Sequence, residues 1–302
     1  MTNSILNCIG NTPLVKVPFG SKAIVYAKLE YLNPGGSIKD RSAKYMVEEA
    51  EQEGKLKPGG TIVEASSGNQ AIALAMIGAM KGYKVIITAP KIISREKLTA
   101  ITAYGAKVIV CPAVPFDDPR SYHSQADKIL AETPNSFMPN QYKNLKNQEA
   151  HYKSLGPEIW KQTNGKITHF FAAAGTGGTV SGAGKFLKEQ NPQVKVLAVD
   201  AATSFYATKG HPRPYAIESM GIDYDSPLLQ NNFVDEFLTV KDEEAFGMLK
   251  TMAHKYGLLI GTSSGAVVFA ANDYIKQLGK DAVVVMIFGD SGRAYLSKGY
   301  YS

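Results

Sequence analysis

Lys39 stands in the segment Asn33-Pro34-Gly35-Gly36-Ser37-Ile38-Lys39-Asp40-Arg41, where a proline and two glycines end an apolar run and Ser37 is placed to cap a helix. An ammonium in the first helical turn meets the partial positive charge of the terminus, which favours its neutral form. A neutral amine is the species that condenses with an aldehyde cofactor to a Schiff base. A solvated surface lysine is the competing reading of this segment by itself. A second turn, Gly175-Thr176-Gly177-Gly178-Thr179, follows an apolar run and opens another helix, so that bare backbone N–H groups and two hydroxyls converge as in a phosphate cradle. It lacks both the Lys-Ser/Thr ending of a nucleotide P-loop and the spacing of a dinucleotide fingerprint, and a purely structural turn stays open. Ser66-Ser67-Gly68-Asn69-Gln70 presents hydroxyl, amide and backbone donors suited to a carboxylate, and Gly261-Thr262-Ser263-Ser264-Gly265 repeats the same context before the last long helix. Either can be a simple helix cap. Four polar glycine turns at strand-to-helix junctions nonetheless point to one crevice, because ligands in open α/β sheets bind outside the carboxyl ends of the strands.

The elements that must position these turns alternate along the chain. Short β-branched runs at residues 24–29, 61–65, 84–88, 107–110, 169–173, 195–199 and 282–288 read as strands. Helical periodicity occupies residues 39–53, 69–81, 94–104, 121–132, 148–162, 179–190, 242–256 and 264–278. The expectation is an α/β protein with mostly parallel sheets. The strands fall into two clusters separated near residue 145, with the polar stretch 141–147 as crossover. The predicted division is therefore a smaller domain over 41–145 and a larger one over 146–302, with residues 1–40 packing on the larger. The Gly- and Pro-punctuated stretch 201–227 reads as a long excursion, with substrate contact or a lid as its expected role.

Composition narrows the function classes. The chain has 302 residues, 44% hydrophobic and 20% charged, with two cysteines, which excludes a disulfide-stapled miniprotein and a disordered chain. Cys8 and Cys111 lack paired spacing, so no metal site is expected. The longest apolar run, residues 282–288, is far short of a membrane span, and the first residues carry no signal pattern, so a cytoplasmic protein without membrane contact is expected. The net charge of +6 is spread without a Lys/Arg block, which speaks against nucleic acid and suits anionic small molecules.

Taken in order, Ile9-Gly10-Asn11-Thr12-Pro13-Leu14-Val15, the lysine segment, the Ser-Gly-Asn turn, Gly175 to Thr179 and the Ser-Ser-Gly turn resemble the cysteine synthase and cystathionine β-synthase family over essentially the whole chain. The resemblance implies the tryptophan-synthase β-like fold of type II pyridoxal-phosphate enzymes, with two three-layer α/β domains and the active site in the cleft between them. It implies that Lys39 is both the catalytic base and the Schiff-base lysine, that Asn69 meets the cofactor's 3-oxygen, and that Gly175, Thr176, Gly177, Gly178 and Thr179 hold its phosphate. Ser263 would face the pyridine nitrogen, and Ser66, Ser67, Gly68, Asn69, Gln70 and Gln141 would bind the amino-acid carboxylate. A homodimer is implied as well.

Within the family, Phe116-Asp117-Asp118-Pro119-Arg120-Ser121-Tyr122, Pro139-Asn140-Gln141-Tyr142 with His151-Tyr152, Gly221-Ile222-Asp223-Tyr224-Asp225 and Gly289-Asp290-Ser291-Gly292-Arg293-Ala294-Tyr295-Leu296-Ser297-Lys298 look more like cystathionine β-synthase. They favour L-serine plus L-homocysteine giving L-cystathionine and water, with cysteine synthase or a divergent β-lyase as alternatives. Three places depart from the family pattern: Ala65, Ser66 and Gln70 around the carboxylate turn, Ala201-Ala202-Thr203 after a strand, and Glu218-Ser219-Met220-Gly221, where the pattern is Glu-Gly-Ile/Val-Gly. With the first motif at residue 9 and the last ending near 298, the resemblance implies a bare catalytic core without a haem-binding extension or a regulatory pair of domains.

Overall fold

The computed structural model describes residues 3–66, 68–114, 118–229 and 233–302. Its elements are β1 (Leu14–Lys16), β2 (Ile24–Leu29), α1 (Lys39–Gln52), β3 (Thr61–Ala65), α2 (Asn69–Lys81), β4 (Lys84–Pro90), α3 (Arg95–Ala103), β5 (Lys107–Cys111), α4 (Tyr122–Glu132) and β6 (Ser136–Phe137). They continue with α5 (Lys146–Lys153), α6 (Leu155–Gln162), β7 (His169–Ala173), α7 (Gly178–Gln190), β8 (Lys195–Ala201), β9 (Glu236–Val240), α8 (Asp242–Tyr256), α9 (Thr262–Ile275) and β10 (Val283–Phe288). A six-stranded sheet has the order β1-β2-β10-β7-β8-β9 and a four-stranded sheet the order β5-β4-β3-β6. Every pairing is parallel except β1 against β2.

The interior strands are largely apolar because both their faces are covered. On β10, Val284, Met286 and Phe288 enter the core with α8 and α9, and Val285 and Ile287 enter the opposite core with α6 and α7. Alternation of side chains along one strand thus fills two layers. The four-stranded sheet repeats the plan, with Ile62 and Ile87 facing α1 and α2, and Val63 and Ala65 facing α4. The α/β class with mostly parallel, helix-covered sheets that the sequence predicts is what this arrangement shows.

Three strands escape the sequence reading, and all three are sheet edges: β1, β6 and β9. An edge strand is half-solvated, so these three lack the buried run that marks the interior strands, and β9 buries only Val240; β5, also an edge, still has an apolar run to mark it. The single helix expected over 148–162 is two, broken at Ser154 (φ −124°, ψ −65°). Pro157 explains the break, since it has no N–H to continue the ladder to residue 153 and is tolerated only in a fresh first turn. The excursion after β8 is not a loose lid along its length, because Ile217, Met220 and Ile222 are buried. Among the described residues no helix is long and apolar enough to cross a membrane.

Candidate active site

The cleft forms where strand ends meet helix starts. It encloses about 490 Å³, counting its open mouth, and is lined by Lys39, Asn69, Gly175, Thr176, Gly177, Thr179, Ser219, Ser263 and Asp290, among others. The turn after β7, the start of α2, the start of α9 and the end of β10 therefore converge at one place.

Lys39 opens α1. Ser37 Oγ accepts its backbone N–H at 3.2 Å, although the helix begins one residue later than a Ser37 cap predicts, and Ile38 N–H donates to Gly289 O at 2.8 Å. Burial lowers the Lys39 amine to about 8, against the opposing pull of the Glu64 and Asp290 carboxylates. The dominant cause is desolvation, and not the helix terminus that the sequence alone suggested. Since the neutral fraction of such an amine rises about tenfold between pH 7 and 9, the rate at which apoprotein takes up pyridoxal phosphate is expected to rise by a similar factor and level off above pH 9. Stopped-flow absorbance measures this, and a rate flat across that range would exclude Lys39 with this ionisation.

The helix carrying Lys39 is anchored two residues on. Arg41 Nε and Nη2 donate to the buried Glu30 at 2.7 and 2.9 Å, and Nη1 and Nη2 donate to Glu158 of α6 at 2.7 and 2.8 Å. Lys28 Nζ of β2 also donates to Glu158, at 2.8 Å. The Arg41 and Lys28 contacts hold the Glu158 carboxyl down at about 2 against the upward push of burial.

Gly177 has φ +92°, and a Cβ there would lie 2.6 Å from Leu229 Cγ; a Cβ on Gly178 would lie 2.3 Å from Asn147 Oδ1. Glycine is therefore required at both, and the first-turn N–H groups of α7 are left without intrahelical partners, beside the cleft. Thr176 Oγ1 accepts from Asn147 Nδ2 at 3.0 Å, so the 141–147 crossover braces this turn. His151 Nε2 lies 3.3 Å from Thr179 Oγ1, and burial holds its imidazole neutral, with Lys39 and Arg41 acting in the same direction.

Asn69 and Ser263 line the cleft, while Ser66, Gly68, Gln70 and Gln141 are engaged in other contacts. Ser66 Oγ accepts the N–H groups of Gly68 and Ala71 at 3.2 and 3.3 Å, capping α2. The bare Cα of Gly68 makes room for the aliphatic chain of Lys97. Gln70 is buried against Ser42, with its Nε2 unpartnered among the described residues. Gln141 is buried; its N–H donates to Glu64 Oε1 at 3.2 Å and its carbonyl accepts from Asn147. Ser67 lies outside the described residues, as do residues 116 and 117 of the 116–122 stretch.

Several site residues are not singled out by the sequence reading. Asp290 Oδ2 accepts from Asn69 Nδ2 at 2.6 Å and from Tyr295 OH at 2.5 Å. Lys97 Nζ donates to Tyr295 OH at 3.1 Å and to Glu218 at 2.8 Å, tying α3 to the far side of the cleft. Burial pushes Glu64 up to about 7, against the N–H groups of Gln141 and Asn140 and the charge of Lys39. The one available signal for Glu64 was a carboxylate inside the apolar run of β3. Asp290 had only its place in the stretch resembling cystathionine β-synthase.

A family model described as "Pyridoxal-phosphate dependent enzyme" matches residues 5–290, and the chain belongs to that family. It is 42% identical over 304 residues to a cystathionine beta-synthase of Apis mellifera, covering 97% of this chain and only 60% of the honeybee protein. It is 40% identical over 304 residues to a cysteine synthase of Staphylococcus aureus (strain Mu50 / ATCC 700699), covering 99% of this chain and 97% of that protein. The solved structure of an O-acetylserine dependent cystathionine beta-synthase from Helicobacter pylori matches with a TM-score of 0.94 at 35% identity, over 100% of this chain and 99% of that one. Pyridoxal phosphate is thus the cofactor, and β-replacement of the cysteine synthase and cystathionine β-synthase type is the reaction class.

The residues present fit that cofactor. A lysine amine lowered by burial, a turn whose glycines admit no Cβ and the buried Ser263 line the same cleft.

Proposed function

We propose that this protein joins L-serine, or a serine activated at its hydroxyl, to L-homocysteine, giving L-cystathionine and water or the released acid. The observation that carries this reading is the position of the 289–298 stretch, which resembles cystathionine β-synthase: its Asp290 lines the cleft and bonds Asn69, and its Tyr295 bonds both Asp290 and Lys97. Residues 41–145 and 146–302 act as the two domains, with 1–40 joined to the second, and the chain works as a cytoplasmic homodimer.

The cofactor, when bound through Lys39 and the 175–179 turn, supplies the electron sink that makes the substrate α-proton removable. Lys39, once its amine is free, would take that proton, and an amine near pKa 8 is in its basic form often enough at neutral pH to do so. The ammonium so formed is held by the charges of Glu64 and Asp290, and it protonates a departing serine hydroxyl; an acetate leaving group needs no such help. The N-terminus of α2, with Ser67 and the backbone around Asn69, receives the substrate carboxylate.

Cysteine synthase is the second reading, supported by the Staphylococcus aureus relative, which matches over nearly its whole length. Serine, O-acetylserine and cysteine, each offered with homocysteine or sulfide, separate the two by kcat/KM. The expected result is that homocysteine is the better acceptor by about tenfold or more, on the scale of one pocket contact. Robust turnover of O-acetylserine with sulfide, and none with homocysteine, would overturn the proposal.

A further inference from the structure

Six non-glycine residues among those described have positive φ, and four of them are asparagine, the residue that tolerates that region best; Ser219, at φ +67°, is one of the other two. Its neighbours leave it no alternative. Glu218 N–H donates to Thr262 Oγ1 at 3.0 Å, the same hydroxyl donates back to Glu218 O at 3.1 Å, and Gly221 N–H donates to Ala174 O at 2.9 Å. A glycine would occupy this backbone without strain, and glycine is what the pattern resembled by this chain has there. Strain kept at a cleft residue points to the side chain as the reason for keeping it.

That side chain lines the cleft. Ser219 Oγ accepts from Asn69 Nδ2 at 3.1 Å, lies 3.2 Å from Tyr295 OH, and donates weakly to Asp290 Oδ2 at 3.4 Å. Both amide hydrogens of Asn69 are then engaged, one by Asp290 and one by Ser219. Turning the amide over would set its oxygen against the Asp290 carboxylate. We propose that Ser219 is a positioning residue whose hydroxyl, together with Asp290, fixes the orientation of the Asn69 amide at the cleft, the strained backbone being what this placement requires. The structural part stands on the geometry; its catalytic consequence rests on the reading of the cleft as a pyridoxal-phosphate site.

Ser219→Gly and Ser219→Ala separate hydroxyl from backbone, since both lose the hydroxyl and only alanine keeps the strain. Ser219→Gly is expected to melt above Ser219→Ala. In apoprotein labelled with 15N-asparagine, the Asn69 side-chain amide is expected to shift and to exchange at least about threefold faster in both variants, the scale of one lost hydrogen bond. The dissociation constant for pyridoxal phosphate is expected to rise, and kcat/KM to fall, by a similar factor of about three to ten in both. An Asn69 amide unchanged in both variants, or kinetic defects that follow melting temperature instead of the hydroxyl, would overturn the proposal. If wild-type protein takes up no pyridoxal phosphate, the functional reading fails, and the amide measurement still decides the role of Ser219.

Discussion

Lys39→Ala is expected to lower β-replacement by about a thousandfold or more, because one side chain serves as cofactor anchor, α-proton base and leaving-group acid. The fold should be left intact: removing the buried amine relieves its desolvation cost, which outweighs the attraction of Glu64 and Asp290 that is lost with it. Circular dichroism and the melting temperature of the apoprotein are expected to match wild type within a few degrees. Borohydride reduction of the loaded wild-type enzyme should attach the cofactor at Lys39 alone. A label on another lysine in the peptide map, or a variant that turns over normally, would refute the assignment.

Arg41→Met is expected to give the largest stability loss of a single substitution near the site, about 3–5 kcal/mol, by the cost of breaking a buried pair. Glu30 is fully buried and would lose both guanidinium bonds, keeping only the Thr12 hydroxyl and the Asn33 amide. Glu158 retains Lys28 and some contact with water, which places the figure toward the lower end of that range. Urea denaturation measures it, and a shift below about 1 kcal/mol would mean that water reaches the network freely.

The pH dependence gives a second check. Glu158 has its pKa lowered on folding, so its contribution is complete above the ordinary glutamate range and is lost as pH falls from about 4.5 through about 2. The gap between wild type and Arg41→Met should narrow across that window. The functional consequence is local, since Arg41 holds the first turn of the helix on which Lys39 sits; cofactor affinity should weaken along with stability.

Periodicity located all seven of the strands it named: six lie inside their sheets, where buried runs carry their own signal, and the seventh, β5 at an edge, still has an unbroken apolar run. It passed over β1, β6 and β9, whose solvated edges carry none, and it ran one helix through Ser154 because the apolar spacing continues past Pro157 while the hydrogen-bond ladder cannot. Motif chemistry was equally legible for Lys39, Asn69, the 175–179 turn and Ser263, all of which meet in one cleft. These are local devices, a strand end followed by a turn that frees backbone donors, and local spacing is enough to specify them.

What only the tertiary structure decided is how the chain closes around those turns. Asn69 and Asp290 are 221 residues apart in sequence and 2.6 Å apart in space, and no spacing rule connects them. Burial, a property of the assembled layers, sets the Lys39 amine near 8 and Glu64 near 7, where composition could show only a lysine near a helix start and a glutamate in a strand. Ser66 and Gln70 were read as donors to a ligand, yet one caps α2 and the other faces Ser42, because a side chain's direction depends on what packs against it. The sequence by itself determined the fold class, the family and the turns that meet in the cleft; packing decided which side chains face it, since exposure and charge state are fixed by neighbours far along the chain.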